Sequence, residues 1–298
     1  MELFVRHILK KLFTFIQKKR ETEFNSRWYL RFGQISPSFS PNQINTLHEI
    51  HAPEGHVYAD PFIVEENGHT YIFIEEVSPE HPVGYLSVME VFQDGKYNSP
   101  TPIIQCSYHL SYPCVFKHED SWYMIPESAA NKSIELWKCT NFPYSWEFDR
   151  TLLNDINAAD TTPFYQDGIW YLFTAIKNKD SKKYGNELHL FYSDNLLSSD
   201  WKPHSQNPVK KGILQYRPGG HLTTINDKLV RPSQDSLKRY GGSLDLNEIT
   251  KLSPEDYEEK FWMKLDSEWH PNDNGCHTFN IFNQHIVIDA IRETPKKL

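Results

Sequence analysis

The sequence predicts an all-β protein, a five-bladed β-propeller preceded by an amphipathic helix. Three observations favour this fold class. Pairs of short strands rich in aromatic and β-branched residues recur about every fifty residues, each pair joined by a hairpin turn. Two further strand-like runs follow most pairs, which gives four strands per repeat. No helical stretch long enough to connect parallel strands lies between the repeats, which argues against a TIM barrel or a Rossmann sheet.

The N-terminal segment differs from the rest of the chain. In residues 1–20, apolar pairs such as Ile8-Leu9 and Leu12-Phe13 alternate with basic residues such as Lys10-Lys11. This spacing places an apolar stripe and a basic face on one helix, with residues 21–26 as a polar link. We expect residues 1–20 to bind an anionic membrane surface. Docking of the same helix on the protein's own body is the alternative.

The repeat is clearest in its first three copies, where Tyr71, Tyr123 and Tyr171 are 52 and 48 residues apart. Two weaker copies begin near Arg217 and His277. Five copies of four strands predict five blades. An irregular β-sandwich is the alternative that the pattern leaves open.

The fifth copy ends after Ile291, before a third and a fourth strand can form. The run Arg27–Phe32 can supply a missing strand and close the ring, which would remove exposed sheet edges. The propeller is therefore expected to span residues 27–298, after a helix and link over residues 1–26.

Three nearby histidines between residues 48 and 56 have no zinc-site spacing and predict a solvated loop.

Composition limits the function. The chain has 298 residues, 14% of them aromatic, and a formal net charge of −8. The aromatic content argues against disorder, and the absence of a long apolar run argues against a transmembrane helix. The negative charge argues against a nucleic-acid partner. Four cysteines without metal-ligand spacing favour reduced thiols and a cytoplasmic location, and neither a metal nor a cofactor is expected.

The first strand of each propeller blade lines the central axis, so equivalent positions of the repeat converge there. Aligned on the blade tyrosines, one position holds Asp60, Tyr112 and Asp160 in the first three blades. Arg217 and His277 fall near the same position in the last two blades. The repeat therefore predicts a ring of charged and polar side chains at one mouth of the channel.

A second tier of polar residues follows four positions after each blade tyrosine. It contains Glu75 and Glu127, and in blade four Gln234 with Asp235 beside it. Carboxylates that converge with arginine and histidine can perform acid–base chemistry at the anomeric carbon of a sugar. For Glu127, a bond to a blade edge is the structural alternative, and for Asp60 it is a turn cap.

The candidate catalytic residues are Asp60, Glu127 and Asp160. The candidate substrate-binding residues are Glu75, Tyr112, Arg217, Arg231, Asp235 and His277. The segments that begin at Arg217 and Arg231 alternate cations with flexible backbone and would suit the phosphate of a sugar donor or a lipid carrier. Ion pairs of these arginines with Asp235 and its neighbours are the alternative.

A series of motifs also carries a family resemblance. In chain order the motifs are Ala59–Phe62, His109–Pro113, Ile125–Ser128, Glu135–Trp137, Asp160–Thr162, Glu187–Tyr192, Arg231–Asp235 and His277–Asn280. As a set they resemble the N-terminal propeller domain of plant glucosamine inositolphosphorylceramide transferases and of standalone bacterial relatives. The resemblance covers about residues 28–292. That domain is similar in turn to the five-bladed clan of glycoside hydrolase families 43 and 32.

The resemblance implies roles for some residues. Asp60 matches the blade-one aspartate that acts as base or nucleophile in the hydrolase clan. Tyr112 and Asp160 stand where family 43 enzymes have an aspartate and the acidic glutamate, so Glu127, on a different strand, is the substitute acid. In the plant enzymes the known transferase module is a separate C-terminal domain, which this sequence does not contain.

Three functions remain open from the sequence. The first is a glycosyltransferase-type enzyme of surface polysaccharide or glycolipid synthesis at the cytoplasmic membrane face, with a glycan or glycolipid substrate and a nucleotide-sugar donor. The second is a glycoside hydrolase of the family 43 or 32 type. The third is a non-catalytic glycan-binding propeller that assists a partner transferase.

Overall fold

The computed structural model describes residues 24–36, 38–177, 187–212, 216–237 and 239–296. Over these residues the fold is a five-bladed β-propeller built from five antiparallel sheets, which confirms the predicted fold class. The predicted helix over residues 1–20 lies outside the described part of the chain. Within that part, no helix has the length and apolar character needed to cross a bilayer.

The strands follow the repeat. Before the first blade come β1 (Phe24–Gln34) and β2 (His48–His51), separated by a 3-10 turn over Pro41–Thr46. Blade one contains β3 (Val57–Glu66), β4 (His69–Val77), β5 (Tyr85–Val91) and β6 (Thr101–Ile104). Blade two contains β7 (Ser111–His118), β8 (Ser121–Glu127), β9 (Ser133–Asn141) and β10 (Ser145–Asn154).

The later blades are less regular. Blade three contains β11 (Ala158–Gln166), β12 (Ile169–Ile176), β13 (Glu187–Ser193), β14 (Lys202–Pro203) and β15 (Lys210–Lys211). Blade four contains β16 (Thr223–Ile225), β17 (Lys228–Asp235), β18 (Ser243–Leu252) and β19 (Tyr257–Leu265). Blade five joins β20 (Phe279–Phe282) and β21 (His285–Pro295) to β1 and β2, in the order β2-β1-β21-β20.

Ring closure follows the prediction, with one difference. All eleven residues of β1 pair with β21, so the N-terminal strand completes the last blade. The neighbouring segment His48–His51 also pairs with β1 and forms the outer strand of this blade. The predicted solvated loop is therefore wrong for these four residues. They are a strand because β1 would otherwise leave its second edge unpaired.

Hairpin turns connect the inner two strands of each blade. At the turns Asn67-Gly68 and Asp167-Gly168 all four residues have positive φ, between 52° and 83°. Both central residues of a type I′ turn need positive φ, which asparagine, aspartate and glycine tolerate best.

Aromatic side chains pack between neighbouring blades, as Phe73 does against Trp146 with ring centroids 5.8 Å apart.

One irregularity recurs in the first strand of three blades. Asp60, Tyr112 and Asp160 all have left-handed backbone, with φ of 50°, 48° and 53°. At each of them the register with the next strand shifts, which is a β-bulge. Left-handed φ is unfavourable for residues with a side chain, and it persists where the surrounding structure requires it. The repeat thus conserves a strained bulge at the position predicted to face the axis.

Candidate active site at the propeller axis

The bulge in β3 holds the side chain of Asp60 in the interior of the ring. Asp60 is only 3% exposed. Its Oδ1 accepts a hydrogen bond from the hydroxyl of Thr278 at 2.8 Å, and its Oδ2 accepts one from the backbone N–H of Tyr112 at 3.2 Å. Burial raises the pKa of Asp60, and the nearby His277 opposes this rise. Bonds from blades two and five therefore hold one carboxylate of blade one at the axis.

Arg217 joins two further carboxylates. Its Nη2 lies 2.9 Å from Oδ1 of Asp160 and 2.7 Å from Oε2 of Glu127, and its Nε donates to Oδ2 of Asp160. Gln234 donates a third bond to Asp160 at 2.6 Å. Burial opposes the charge of Arg217, but Asp160 and Glu127 raise its pKa well above the usual value. The guanidinium is a fixed cation that neutralises part of the cluster.

On the opposite side of Asp60 lies a buried ion pair. His277 Nδ1 is 2.5 Å from Oδ2 of Asp289, and His277 Nε2 is 3.5 Å from Oδ1 of Asp60. The imidazole stacks on Trp28, with ring centroids 4.2 Å apart. Burial alone would lower the pKa of His277, but the carboxylates of Asp289 and Asp60 raise it to about 9. At neutral pH the site therefore contains an imidazolium as its second cation.

The fifth carboxyl group of the cluster belongs to Glu75. The register of β3 with β4 pairs Glu75 with Ala59, which places it beside Asp60 on the neighbouring strand. His109 Nε2 lies 3.3 Å from Oε1 of Glu75. Burial raises the pKa of Glu75 to about 8, and the charge of Asp60 adds to the effect. Glu75 is thus mainly protonated at neutral pH.

The cluster contains more carboxyl groups than cations. Among the described residues it contains five carboxyl groups and two cations, and these are Asp60, Glu75, Glu127, Asp160 and Asp289 against Arg217 and His277. Three of these residues, Asp60, His277 and Asp289, bring potential metal-ligand atoms within 4.8 Å of one another. The oxygens of both carboxylates already accept bonds from protein donors. The trio is therefore arranged as an ion-pair network.

The other predicted site residues lie elsewhere. Tyr112 is fully buried behind the cluster, with its hydroxyl 2.8 Å from Thr162 Oγ1 and 2.7 Å from a backbone N–H. Arg231 makes two bonds of 2.8 Å to Glu259 on the outer strand of its own blade. Asp235 likewise binds Lys264 at 2.5 Å. Arg231 and Asp235 are therefore both held in ion pairs, but with Glu259 and Lys264 and not with each other.

Four residues of the site were not among the candidate site residues, although Gln234 belonged to the predicted second tier. Gln234, Asp289 and Thr278 bind the predicted carboxylates or histidine directly. Tyr240 lies at the edge, with its ring 5.3 Å from that of His277 and with 52% of the residue exposed. The sequence contains a signal for Asp289, because it is a carboxylate at the end of the apolar run 286–288. An exposed aromatic ring beside buried carboxylates is a surface on which a sugar ring can stack.

Comparison with known proteins identifies relatives of this fold and sequence. Residues 43–292 match the sequence profile of the family described as glucosamine inositolphosphorylceramide transferase 1, N-terminal. The transferase of that name from rice, Oryza sativa subsp. japonica, is 32% identical over 204 residues, which is 67% of this chain and 27% of the rice protein. The Arabidopsis thaliana protein is 29% identical over 230 residues, 76% of this chain and 29% of its own length. The chain thus spans less than a third of the curated relatives it matches.

Solved structures with a similar fold are glycoside hydrolases. A thermostable family-43 glycoside hydrolase superposes with a TM-score of 0.51 at 11% identity, covering 69% of this chain and 75% of that one. Zg3597, a family 117 glycoside hydrolase from Zobellia galactanivorans, superposes with a TM-score of 0.54 at 10% identity and 90% coverage of both chains. At this identity the likeness establishes the fold alone. The expected resemblance to both groups is confirmed.

Proposed function

Since the chain belongs to the family described as glucosamine inositolphosphorylceramide transferase 1, N-terminal, we propose that it is a carbohydrate-active enzyme. Its axial cluster would act at the anomeric carbon of a glycan or glycolipid and transfer the glycosyl group to an acceptor hydroxyl. The observation that carries this proposal is the placement of Asp60, a buried carboxylate on a strained bulge, beside the protonated carboxyl of Glu75.

Two carboxyl groups in different protonation states can divide the work at a glycosidic bond. Asp60 is next to the imidazolium of His277, which favours its ionised form. As a carboxylate it can accept the proton of an incoming hydroxyl group or attack the anomeric carbon. Arg217 and Gln234 fix Asp160 at the floor of the cluster, where they orient the site without themselves titrating near neutral pH.

The charges of the cluster affect which sugar donor the site can accept. Both cations of the cluster are already paired with carboxyl groups, Arg217 with Asp160 and Glu127 and His277 with Asp289, whereas a sugar diphosphate needs several cations around its phosphates. A neutral glycoside is compatible with this environment. We therefore infer that the transferred sugar comes from a glycoside in preference to a nucleotide sugar. Hydrolysis would be the same reaction with water as the acceptor.

A specific observation also favours glycan binding without turnover as a second candidate. Arg217 binds both Asp160 and Glu127, so two of the carboxylates are held in ion pairs and do not face a substrate as free bases. A sugar could lie between this cluster and the exposed ring of Tyr240 without any bond being broken. The two candidates differ in whether Asp60 is needed for a chemical step.

The test replaces Asp60 by asparagine, which keeps its size and its acceptor oxygen. Aryl glycosides are supplied with and without an alcohol acceptor, and nucleotide sugars are supplied in parallel. We expect Asp60→Asn to reduce turnover of the glycosides by about 10² to 10⁴ while the protein still binds glycans and melts near the wild-type temperature. Asp235→Asn is the matched control, because Asp235 pairs with Lys264 away from the axis. Turnover of nucleotide sugars alone would refute the glycoside donor.

If the wild-type protein binds glycans and neither glycosides nor nucleotide sugars react, the binding function replaces the enzyme. If Asp60→Asn retains full turnover, the axial cluster is not the active site.

We further propose that the propeller works at the cytoplasmic face of a membrane, in glycolipid or surface-polysaccharide synthesis. The described chain starts at Phe24, and four residues later Trp28 stacks on His277. The strand that follows the basic segment in the sequence therefore contacts the cluster through Trp28. The basic residues in 1–20 would hold this face of the propeller against anionic lipid, where glycolipids are presented.

This part of the proposal is tested by vesicle sedimentation. The full chain should sediment with vesicles that contain anionic lipid and remain in solution with zwitterionic vesicles. Deletion of residues 1–20 should abolish sedimentation without lowering turnover of a water-soluble glycoside. Sedimentation of the truncated protein would show that the segment is not the membrane anchor.

A further inference from the structure

We propose that Glu75 is the general acid of the axial site and that His109 is the positioning residue that directs its proton toward the substrate. This inference rests on the proposed function and names a residue role within the same site. Neither the family description nor the sequence motifs assign an acid on β4, and Glu127 was the sequence-based candidate for this role.

The hydrogen-bond pattern fixes the tautomer of His109. The backbone N–H of Gly84 points to Nδ1 of His109 at 3.1 Å, so Nδ1 must be an acceptor without a proton. A neutral imidazole then carries its proton on Nε2, and this nitrogen lies 3.3 Å from Oε1 of Glu75. The protonated Nε2 of His109 therefore faces Oε1 of Glu75 across this 3.3 Å electrostatic contact. When Glu75 is protonated, its own proton is left on Oε2.

Oε2 of Glu75 is the oxygen that can serve a substrate. In the part of the chain that the structure describes, no side chain or backbone group hydrogen-bonds to it. Glu127 is arranged differently, because its Oε2 accepts a bond from Arg217 at 2.7 Å. Burial and Asp160 raise the pKa of Glu127 well above its usual value, whereas the guanidinium of Arg217 opposes this rise and occupies one of the Glu127 oxygens. Glu75 is therefore the better-placed proton donor of the two glutamates.

Gly84 holds His109 from two sides. Its N–H binds the imidazole, and its carbonyl accepts a bond from the N–H of Leu110 at 2.9 Å. A Cβ on Gly84 would lie 2.4 Å from Cε1 of His109 and 2.7 Å from Oε1 of Glu75. Both distances are shorter than real contacts, so only glycine lets the backbone approach this pair. The close approach of the Gly84 backbone therefore fixes the orientation of the His109 imidazole.

The surrounding charges support a proton on Glu75. The groups that face it are Asp60 and Asp160, which favour protonation, and His277 and Arg217, which oppose it. Burial is the largest influence, and together these effects raise the pKa of Glu75 to about 8. Burial and the charge of Arg217 lower the pKa of His109, which keeps its imidazole neutral. The tautomer of His109 described above requires this combination of a neutral imidazole and a protonated Glu75.

The reaction step then balances. The bond between the anomeric carbon and the leaving oxygen breaks, the electron pair stays on that oxygen, and the oxygen takes the proton from Oε2 of Glu75. The incoming hydroxyl forms the new carbon–oxygen bond and gives its proton to Asp60. Solvent returns a proton to Glu75 and removes one from Asp60, so the site regains its starting state.

The experiment compares leaving groups that differ in their need for a proton. For alkyl glycosides, whose leaving oxygen needs protonation, Glu75→Gln should lower kcat/KM by about 10² to 10⁴. For dinitrophenyl glycosides, whose leaving group departs as an anion, it should lower kcat/KM less than tenfold. Glu76→Gln is the matched control, because Glu76 points the other way and binds Ser87 at 2.7 Å. Equal losses on both substrate types would overturn the role of Glu75 as an acid.

A readout without turnover separates this inference from the proposed function. Carbon NMR of labelled glutamate should show Glu75 titrating near pH 8, and both His109→Gln and Gly84→Ala should shift that titration. Titration near pH 4 would overturn the inference even if the enzyme turns over glycosides through Asp60. Normal titration of Glu75 with no turnover of any glycoside would instead refute the proposed function, and the acid role with it.

In the pH profile of kcat/KM for an alkyl glycoside, we expect a basic limb near pH 8 that disappears in Glu75→Gln. His109→Gln should move this limb and lower kcat, with little effect on KM, because its role is to orient the proton. A purely structural role of His109 would leave the limb where it is.

Discussion

His277 donates from Nδ1 to Oδ2 of Asp289 across 2.5 Å, inside a site where both side chains are almost completely buried. Asp289 also accepts bonds from the backbone N–H groups of His277 and Thr278, at 2.8 Å and 3.0 Å. The pair therefore joins β21 to the segment before β20 and stabilises the innermost part of blade five. Its strength depends on the proton of His277.

The first prediction concerns stability against pH. The pKa of His277 is raised from 6.5 to about 9 on folding, so its contribution is fully present below pH 6.5 and is lost as the pH rises through about 9. The difference corresponds to roughly 3 kcal/mol. Glu75 also makes the folded state less stable as the pH rises, because its pKa of about 8 in the folded protein exceeds the usual 4.5. The melting temperature should therefore fall between about pH 4.5 and pH 9.

Thermal melts at half-unit pH steps measure this effect. His277→Gln should flatten the decline between pH 6.5 and about pH 9, and Glu75→Gln should flatten it between pH 4.5 and about pH 8. His51→Gln is the control, because His51 is exposed on the outer strand of blade five and binds Glu49 at the surface. A decline that is unchanged in His277→Gln would show that the imidazolium does not contribute.

The second prediction concerns Arg217. Its replacement by methionine leaves Asp160 and Glu127 buried beside each other without a cation. Removal of one partner from a buried ion pair costs about 3–5 kcal/mol. Arg217→Lys keeps the charge but cannot bind both carboxylates with a planar group, so we expect an intermediate loss. Urea denaturation measures the free energy of unfolding.

Arg231→Met provides the comparison for this prediction. Arg231 is also buried and pairs with Glu259, away from the axis. Its loss should destabilise the protein by a similar amount while leaving glycan affinity unchanged, whereas Arg217→Met should weaken both. If Arg217→Met unfolds at the wild-type urea concentration, the ion pairs at the axis do not hold the blades together.

The third prediction concerns the rim of the site. Tyr240 is half exposed beside His277, so Tyr240→Ala should weaken glycan affinity by up to about tenfold and change the melting temperature little. Isothermal titration with oligosaccharides gives the affinity. Tyr165→Ala is the control, because this ring is equally exposed but lies against Trp170 near a distant hairpin turn. Equal affinity of the two variants would exclude stacking on Tyr240.

The repeat in the sequence was sufficient to place Asp60 and Asp160 at the axis, because equivalent positions of a propeller converge. It was not sufficient at blade four, where the polar pair Gln234-Asp235 offered two choices. Gln234 binds Asp160, and Asp235 binds Lys264 on the outer strand. Adjacent residues of a strand face opposite sides, so an error of one position selects the wrong side chain.

The remaining site residues depend on contacts that no repeat encodes. The repeat places Arg217 near the axis, but it does not indicate that Arg217 binds carboxylates of blades two and three. Tyr240 follows β17 in an irregular loop, and Trp28 arrives from the opposite end of the chain. Sequence periodicity gives the position of a residue within its blade. It contains no information on which loop covers the centre.

The pairing of β1 with β21 also sets the order in which this protein can be made. The two strands are about 250 residues apart, so during synthesis β1 must wait until all the residues between them have left the ribosome. Until then blade five has open edges that can pair with other chains. Contacts between such distant residues slow folding. We therefore expect the N-terminal strand to be the segment that newly made chains most need a chaperone to shield.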